Sequence, residues 1–274
     1  MREGAVSKHA SRFLMYAFLI IVSFISVFPL YWAFISAFNN TQQILGGRMI
    51  PSTHFMENLN NLFAQYDVLN AMKNSFATSI LQVVLSLAVS SIAGYGFEIY
   101  HDKYKDGVMA VLMLAMMVPF VAILVPLFQM FSSAGLINNW IGFFLPSLST
   151  PFLIMYFRNS ARNFPKDTIE AARIDGLNEF QIFIKMFIPM MKPTYASAAT
   201  ITFMNAWNAY LWPKVIMQTN ESMTMPMLVS SLMGGYVIDY GVVMMGVTIC
   251  SLPTIIIFFL LQKSFTNAVA GAVK

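Results

Sequence analysis

The sequence has 274 residues, of which 58% are hydrophobic and 10% charged, with a formal net charge of +4 and a mean hydropathy of +0.66. Soluble domains carry about 25% charged residues, so this composition excludes an ordinary soluble protein and indicates an integral membrane protein. The small net charge gives no reason to expect nucleic-acid binding, and the single cysteine, Cys250, excludes a disulfide framework.

Long uncharged runs predict an all-α fold with six transmembrane helices, because each crossing of the bilayer needs about 20 apolar residues. The predicted spans cover residues 13–38, 76–97, 108–131, 140–157, 194–212 and 241–262. The first run is longer than the apolar core of a signal peptide, which is about 7–15 residues, so we expect a retained span. Gly94 and Gly96 in the second span predict close approach of a neighbouring helix.

Two prolines in the third span, Pro119 and Pro126, predict a bent or locally unwound helix. Such backbone must be shielded by protein or must line a wet cavity, which makes this span a candidate for the transport pathway. A simple packing kink is the alternative.

The distribution of Lys and Arg predicts the orientation. If six spans alternate sides, thirteen of the sixteen basic residues fall on one side, in segments 1–12, 98–107, 158–193 and 263–274, and three fall on the other. Because basic loops favour the cytoplasmic side, both termini and the polar segment 158–193 are predicted to be cytoplasmic.

The polar segment 158–193 predicts two short helices. Asp167 is a candidate N-cap with Glu170 as its capping-box partner, and Gly176 suits the left-handed residue after a helix. Asn178 and Gln181 predict a second capping box, and Pro189 predicts the end of the second helix.

Apolar residues in the second helix predict one buried face. Their spacing is i, i+3, i+4, i+7, and they are Phe180, Phe183, Ile184 and Phe187. A single amphipathic helix lying on the membrane surface is the alternative, but it leaves the small residues Ala171, Ala172 and Gly176 unexplained.

Within this segment Glu170-Ala171-Ala172 is followed after three residues by Gly176, and after nine more by Met186-Phe187-Ile188-Pro189. This spacing resembles the EAA motif of ABC importer permeases, with Met186 and Ile188 in place of the motif's Ile and Leu. Residues 157–180, the WNAYLWP of residues 207–213 and the terminal GAVK are similar to the carbohydrate-uptake subfamily, specifically its maltose-type second permease. The resemblance covers essentially the whole chain.

The resemblance implies a type I ABC importer permease fold in the prokaryotic cytoplasmic membrane. It implies a coupling helix that contacts a cytoplasmic ATPase through Glu170, Ala171, Ala172, Asp175, Gly176 and Phe180. A second ATPase contact is implied for the tail, at Gly271 and Lys274. The implied partners are a homologous second permease forming a heterodimer, two ATP-binding subunits that hold ATP and Mg, and an extracytoplasmic sugar-binding protein.

The sequence has no G-x-x-x-x-G-K-[ST] phosphate loop, so we expect the chain itself to bind no ATP, to hold no cofactor and to be no enzyme. The six predicted spans lack Asp, Glu, Lys, Arg and His, which argues against a proton-coupled transporter and favours an uncharged solute. The three histidines, His9, His54 and His101, show no metal-ligand spacing, so no metal site is expected.

The fifth span has the best candidates for a substrate pathway: Asn205, Trp207, Asn208 and Tyr210. Amides can bind sugar hydroxyls, and aromatic rings can pack against the apolar faces of sugars. The alternative is structural, with Asn bonding between helices and aromatic residues forming an interfacial belt. The belt is the favoured interpretation for Trp212.

Together these features predict the permease subunit of an ATP-driven importer for a di- or oligosaccharide. Two alternatives remain: a permease for another small polar solute such as glycerol phosphate, and a stand-alone transporter driven by an ion gradient. A membrane scaffold without transport activity leaves the EAA-like segment unexplained.

Overall fold

The computed structural model describes the backbone of residues 3–272 and the side chains of residues 12–260 and 262. Within that part of the chain all regular secondary structure is helical. The α-helices are α1 (Glu3–Ser36), α2 (Thr41–Leu45), α3 (Phe55–Gln65), α4 (Val68–Ile99), α5 (Lys103–Ala115), α6 (Phe120–Ser133), α7 (Trp140–Phe144), α8 (Pro151–Ala161), α9 (Lys166–Ile174), α10 (Glu179–Ile182), α11 (Ile188–Met190), α12 (Lys192–Trp207), α13 (Leu211–Ile216), α14 (Met225–Ser231) and α15 (Tyr240–Ala272). Leu145–Ser147 and Asn220–Ser222 form 3₁₀ turns, and Phe183–Phe187 forms a π-helical turn.

Among the described residues, three helical stretches are long and apolar enough to cross a membrane: Arg12–Ser36, Val68–Ile99 and Tyr240–Leu260. The number rises to five if each of two bent helix pairs counts as one span. The predicted fifth span, residues 194–212, is not one continuous helix. Helix α12 has 16 residues and ends at Trp207. At 1.5 Å per residue α12 is about 24 Å long, less than the roughly 30 Å of a hydrocarbon core.

The third predicted span is bent, as its prolines indicate. Helices α5 and α6 meet at an angle of 97°. Pro119 is the residue before α6, whereas Pro126 lies inside α6, so the break coincides with the first proline alone. A second bend of 54° separates the Trp140–Ser147 stretch from α8.

The chain divides into two compact units. One contains the residues up to Asp67 together with Val229–Ser251. Its buried polar centre is Asn58, whose amide donates hydrogen bonds to the carbonyl oxygens of Ala37 at 2.9 Å and Asn39 at 3.0 Å. Gly241 faces this centre, and a Cβ there would lie 2.5 Å from the Asn58 side-chain oxygen, so no larger residue fits.

The other unit contains Val68–Leu228 and the chain from Leu252 onward, and it is built on α4. α4 packs against α8 and α12. It buries a row of small hydroxyl side chains: Ser75, Thr78, Ser79, Ser86, Ser90 and Ser91. Small residues allow helices in a membrane to approach closely, so this row explains the tight packing of α4. Gly94 has the predicted close contact, whereas nothing lies within 4 Å of a Cβ at Gly96.

Candidate functional site

The polar segment 158–193 folds into α9, a tight turn, and a second helical stretch. Gly176 adopts φ +80°, the left-handed conformation that glycine accommodates without strain. The Leu177 amide donates to the carbonyl oxygen of Ala172 at 3.0 Å and the Gly176 amide to that of Arg173 at 3.1 Å. These bonds close the end of α9, so the predicted role of Gly176 is confirmed.

The second predicted capping box is confirmed. The Gln181 amide donates to the Asn178 side chain at 2.9 Å, and the Asn178 amide donates back to Gln181 at 3.0 Å. The prediction for Asp167 is wrong, because α9 begins at Lys166 directly after Pro165 and has no side-chain cap. Asp167 instead lies in the first turn, where a carboxylate favours the positive end of the helix.

Pro189 does not end the second helix, which was also predicted wrongly. It is the middle residue of α11, which follows directly on the π-helical turn Phe183–Phe187, so the helical stretch continues past the proline to Met190.

The buried face of the second helix differs from the predicted one. Ile182 and Phe187 are fully buried and Phe183 nearly so, whereas Phe180 and Ile184 are exposed. The π-helical turn at Phe183–Phe187 adds one residue to the helical repeat, which shifts the face that points inward. The buried residues pack on Tyr95 of α4, whose ring centroid lies 4.8 Å from that of Phe187.

Most of the predicted contact residues lie on the exposed side of the α9–α10 segment: Glu170, Ala171, Asp175, Gly176 and Phe180. Ala172 does not, since it is buried against the same cluster as Tyr95 and Phe187. Two apolar residues of this segment are strongly exposed, Phe180 at 68% and Ile174 at 86%, and Ile174 is not among the predicted contact residues. An isoleucine between Arg173 and Asp175 was the available signal.

An ion pair across the turn at Gly176 and a hydrogen bond to Tyr100, just after α4, hold the turn in place. The Arg173 Nε donates to Glu179 Oε1 at 2.7 Å, and the Tyr100 hydroxyl donates to Glu179 Oε2 at 2.5 Å. The Arg173 guanidinium and then the Tyr100 hydroxyl hold the pKa of Glu179 below its usual range. Burial and the Glu179 carboxylate raise the pKa of Tyr100. The stabilisation from Glu179 is therefore present at neutral pH and is lost as pH falls through its lowered pKa.

A second charge cluster joins α4, α5 and α8. Buried Arg158 donates from Nε to Glu98 at 3.3 Å and from its terminal nitrogen to Asp106 at 2.5 Å. Arg162 reaches the same Glu98 oxygen at 3.2 Å from a more exposed position. Arg158, predicted to begin the cytoplasmic segment, thus lies inside α8 and fixes its packing.

The four predicted pathway residues do not come together. Asn205 lines a cavity of about 170 Å³ between α4, α8 and α12. Trp207 is buried, with its ring 4.8 Å from that of Phe76 and 5.6 Å from that of Phe203. The Asn208 amide donates to the Met204 carbonyl oxygen of its own helix at 2.8 Å, and neither Asn208 nor Tyr210 lines the cavity.

Trp212 is no belt residue, so that expectation is wrong. It is buried, and its indole nitrogen donates to the Gly142 carbonyl oxygen at 2.9 Å. The ring lies 5.2 Å from that of Phe131 and forms part of the cavity wall. Of the two predicted tail residues, Lys274 lies outside the described residues, and Gly271 lies in α15 where only the backbone is described.

Comparison with known proteins gives consistent results for sequence and fold. Residues 86–271 match the family model described as binding-protein-dependent transport system inner membrane component. The lactose transport system permease protein LacG of Rhizobium radiobacter is 41% identical, covering 94% of this chain and 95% of that protein. The arabinooligosaccharides transport system permease protein AraQ of Halalkalibacterium halodurans is 32% identical, covering 92% and 93%.

Among solved structures, a bacterial ABC transporter involved in the import of the acidic polysaccharide alginate contains a similar chain. The TM-score is 0.83 at 19% sequence identity, with 94% of this chain and 98% of that chain covered. At this identity the match concerns the fold alone.

Proposed function

The chain belongs to the family of binding-protein-dependent transport system inner membrane components, and we propose that the solute it carries is a neutral di- or oligosaccharide. It is a multi-pass membrane permease of an ABC importer, with an all-helical type I permease fold, and it is not an enzyme. Such an importer works with a separate ATPase and a substrate-binding protein.

The observation that carries the proposal is the absence of charge around the cavity in the α4 unit. All its lining residues are uncharged, and they include Gln82, Thr202 and Asn205. An anionic solute such as glycerol phosphate needs a cation nearby, because desolvating an unpaired charge is costly. The names of the two relatives described above specify saccharides, which supports the same solute class.

For the coupling to ATP hydrolysis, the proposal assigns the exposed side of the α9–α10 segment. Glu170, Asp175 and Gly176 lie on that side with the exposed apolar side chains of Ile174 and Phe180. An apolar patch with a charged rim is typical of a protein interface. The capped turn and the Arg173–Glu179 pair give this surface a fixed shape before a partner arrives.

The remaining partners follow from the same assignment. The chain pairs with a homologous second permease, and two ATP-binding subunits hold ATP and Mg on the cytoplasmic side. An extracytoplasmic sugar-binding protein delivers the solute, and both termini are cytoplasmic. The excess of Lys and Arg in segments 1–12, 98–107, 158–193 and 263–274 supports this orientation.

Reconstitution tests the proposed function. The tagged chain is purified with its partner subunits, inserted into liposomes with ATP inside, and supplied with the binding protein outside. Uptake of radiolabelled lactose and arabinotriose is measured, with glycerol 3-phosphate as the anionic comparison. We expect uptake of a saccharide that requires both ATP and the binding protein.

Two results would contradict the proposal. One is solute uptake driven by a proton or sodium gradient in liposomes that contain this chain without any ATPase. The other is ATP-dependent uptake of glycerol 3-phosphate in preference to both saccharides.

A further inference from the structure

The uncharged cavity lies inside one compact unit, between α4, the Trp140–Ala161 region and the α12–α13 region. Gln82, which lines it, stands near the middle of α4, a helix of 32 residues. Secondary transporters place solute sites where interrupted helices meet, near the middle of their spans. The position of Gln82 along α4 suits a solute contact of the same kind.

Two walls of the cavity are interrupted helices. One interruption lies between Ser147 and Pro151, and Thr150 within it lines the cavity. The other separates α12 from α13, and Ala209 within it lines the cavity as well. At membrane depth, non-helical backbone is tolerated only where protein covers it or where it lines an aqueous space.

Three polar side chains of the wall have no partner. Gln82 and Thr202 are buried and Asn205 is exposed, and in the part of the chain that the structure describes none of the three makes a side-chain hydrogen bond. Unpaired amides and hydroxyls are costly in an apolar surrounding. The two buried groups therefore need water or solute hydroxyls as partners in the cavity, and Asn205 lines the same space.

The size and walls of the cavity narrow the class of ligand. Its volume of about 170 Å³ is below the range of about 300–1,000 Å³ that holds a drug-sized ligand. It therefore fits one ring of a saccharide and not a whole chain. Phe143, Phe152 and Trp212 supply apolar wall, which suits the C–H faces of such a ring.

We propose that this chain contacts the saccharide itself, holding one uncharged sugar ring in the cavity. Gln82, Thr202 and Asn205 supply the hydrogen bonds to its hydroxyls, and Trp212 with the two phenylalanines supplies the apolar wall. The proposal rests on the proposed function, and it assigns a binding role to this permease in addition to any held by the second permease.

Transport by matched variants tests the hydrogen bonds, with lactose as the probe in the reconstituted complete transporter. Gln82→Met removes the amide at nearly constant length, and Thr202→Val removes the hydroxyl at constant shape. Each is expected to lower lactose uptake about 2–10-fold, the effect of one neutral hydrogen bond. The yield and the thermal unfolding midpoint of the assembled complex are measured for each variant, which separates the loss of a contact from a folding defect.

Thr200→Val is the matched control on the same helix. Thr200 is buried too, but its hydroxyl donates to the Ala196 carbonyl oxygen at 2.8 Å and does not line the cavity. We expect lactose uptake within about twofold of the wild type. Equal uptake by Gln82→Met, Thr202→Val and Thr200→Val overturns the proposal.

Thiol protection gives an answer that does not depend on transport. Asn205→Cys and Asn208→Cys, each combined with Cys250→Ser, are labelled with N-ethylmaleimide in the purified complex, with and without lactose or arabinotriose. A saccharide is expected to slow labelling at position 205 and to leave position 208 unchanged. If neither saccharide protects position 205, the cavity is no sugar site; if the wild type also imports neither saccharide with ATP, the proposed function fails separately.

Discussion

At Gly94 the backbones of α4 and α8 lie so close that no side chain fits between them. A Cβ at this position would lie 2.6 Å from the Phe157 Cβ and 2.7 Å from the Arg158 amide nitrogen. These atoms belong to the backbone or are fixed to it, so they cannot rotate away. Any larger residue therefore has to push the two helices apart.

Gly94→Ala is expected to destabilise the protein by about 1–3 kcal/mol, the usual effect of overpacking. The measurement is the thermal unfolding midpoint of the detergent-purified chain. Gly96→Ala is the control, two residues further along α4, with nothing within 4 Å of the added Cβ. Equal unfolding midpoints for the two variants would show that the α4–α8 contact has room for a methyl group at position 94.

Arg158 and Arg162 share the carboxylate of Glu98 but differ in burial. The Arg158 side chain is 6% exposed and also binds Asp106, whereas the Arg162 side chain is 57% exposed. Arg158→Leu leaves Glu98, itself largely buried, with only the exposed Arg162 and is expected to lower the unfolding midpoint by several degrees. Arg162→Leu removes an exposed pair and is expected to have little effect. A similar decrease of the unfolding midpoint in both variants would show that the burial of Arg158 does not strengthen its ion pairs.

At the scale of the helix, the exposed side of α9–α10 offers a test of the proposed coupling. Ile174→Asp and Phe180→Asp each place a charge in the apolar patch and are expected to weaken binding of the ATPase at least tenfold, since desolvating a carboxylate opposes the interface. The fold is expected to persist because both side chains point away from the core. Retention of the ATPase on the immobilised permease complex measures the effect.

Tyr104→Asp is the control for this pair. Tyr104 is an exposed aromatic residue at the beginning of α5, outside the α9–α10 segment but on the side predicted to be cytoplasmic. Binding of the ATPase is expected to stay at the level of the wild type. Loss of ATPase binding in Tyr104→Asp but not in Phe180→Asp would show that the ATPase contact lies outside α9–α10.

The helix-capping residues of this segment could be predicted from the sequence. Gly176 and the Asn178–Gln181 box depend on a few neighbouring residues, and both predictions are confirmed. The burial of Ile182 in place of Phe180 was not readable, because the π-helical turn that shifts the face has no simple sequence signal. The same holds for the cavity, since Gln82 and Thr202 meet only through the packing of α4 against α12.

At the scale of the whole molecule, cysteine labelling tests the predicted orientation in the membrane. Tyr236 and Ile174 are both exposed, and the predicted topology places them on opposite sides. In a Cys250→Ser background, Tyr236→Cys is expected to react with an impermeant maleimide in intact cells. Ile174→Cys is expected to react only after permeabilisation. The reverse pattern would invert the assigned topology.

The hydrophobic contact between the α9–α10 region and α4 has a mechanical consequence. Tyr95, Phe183 and Phe187 are close-packed there, and packed side chains resist compression strongly. A displacement toward α4 therefore moves that helix almost without deformation. The opposite displacement is resisted by separation of the apolar surfaces and by the hydrogen bond of Tyr100 to Glu179, which are weaker than contact repulsion. This contact therefore transmits a push of the α9–α10 region toward α4 better than a pull away from it.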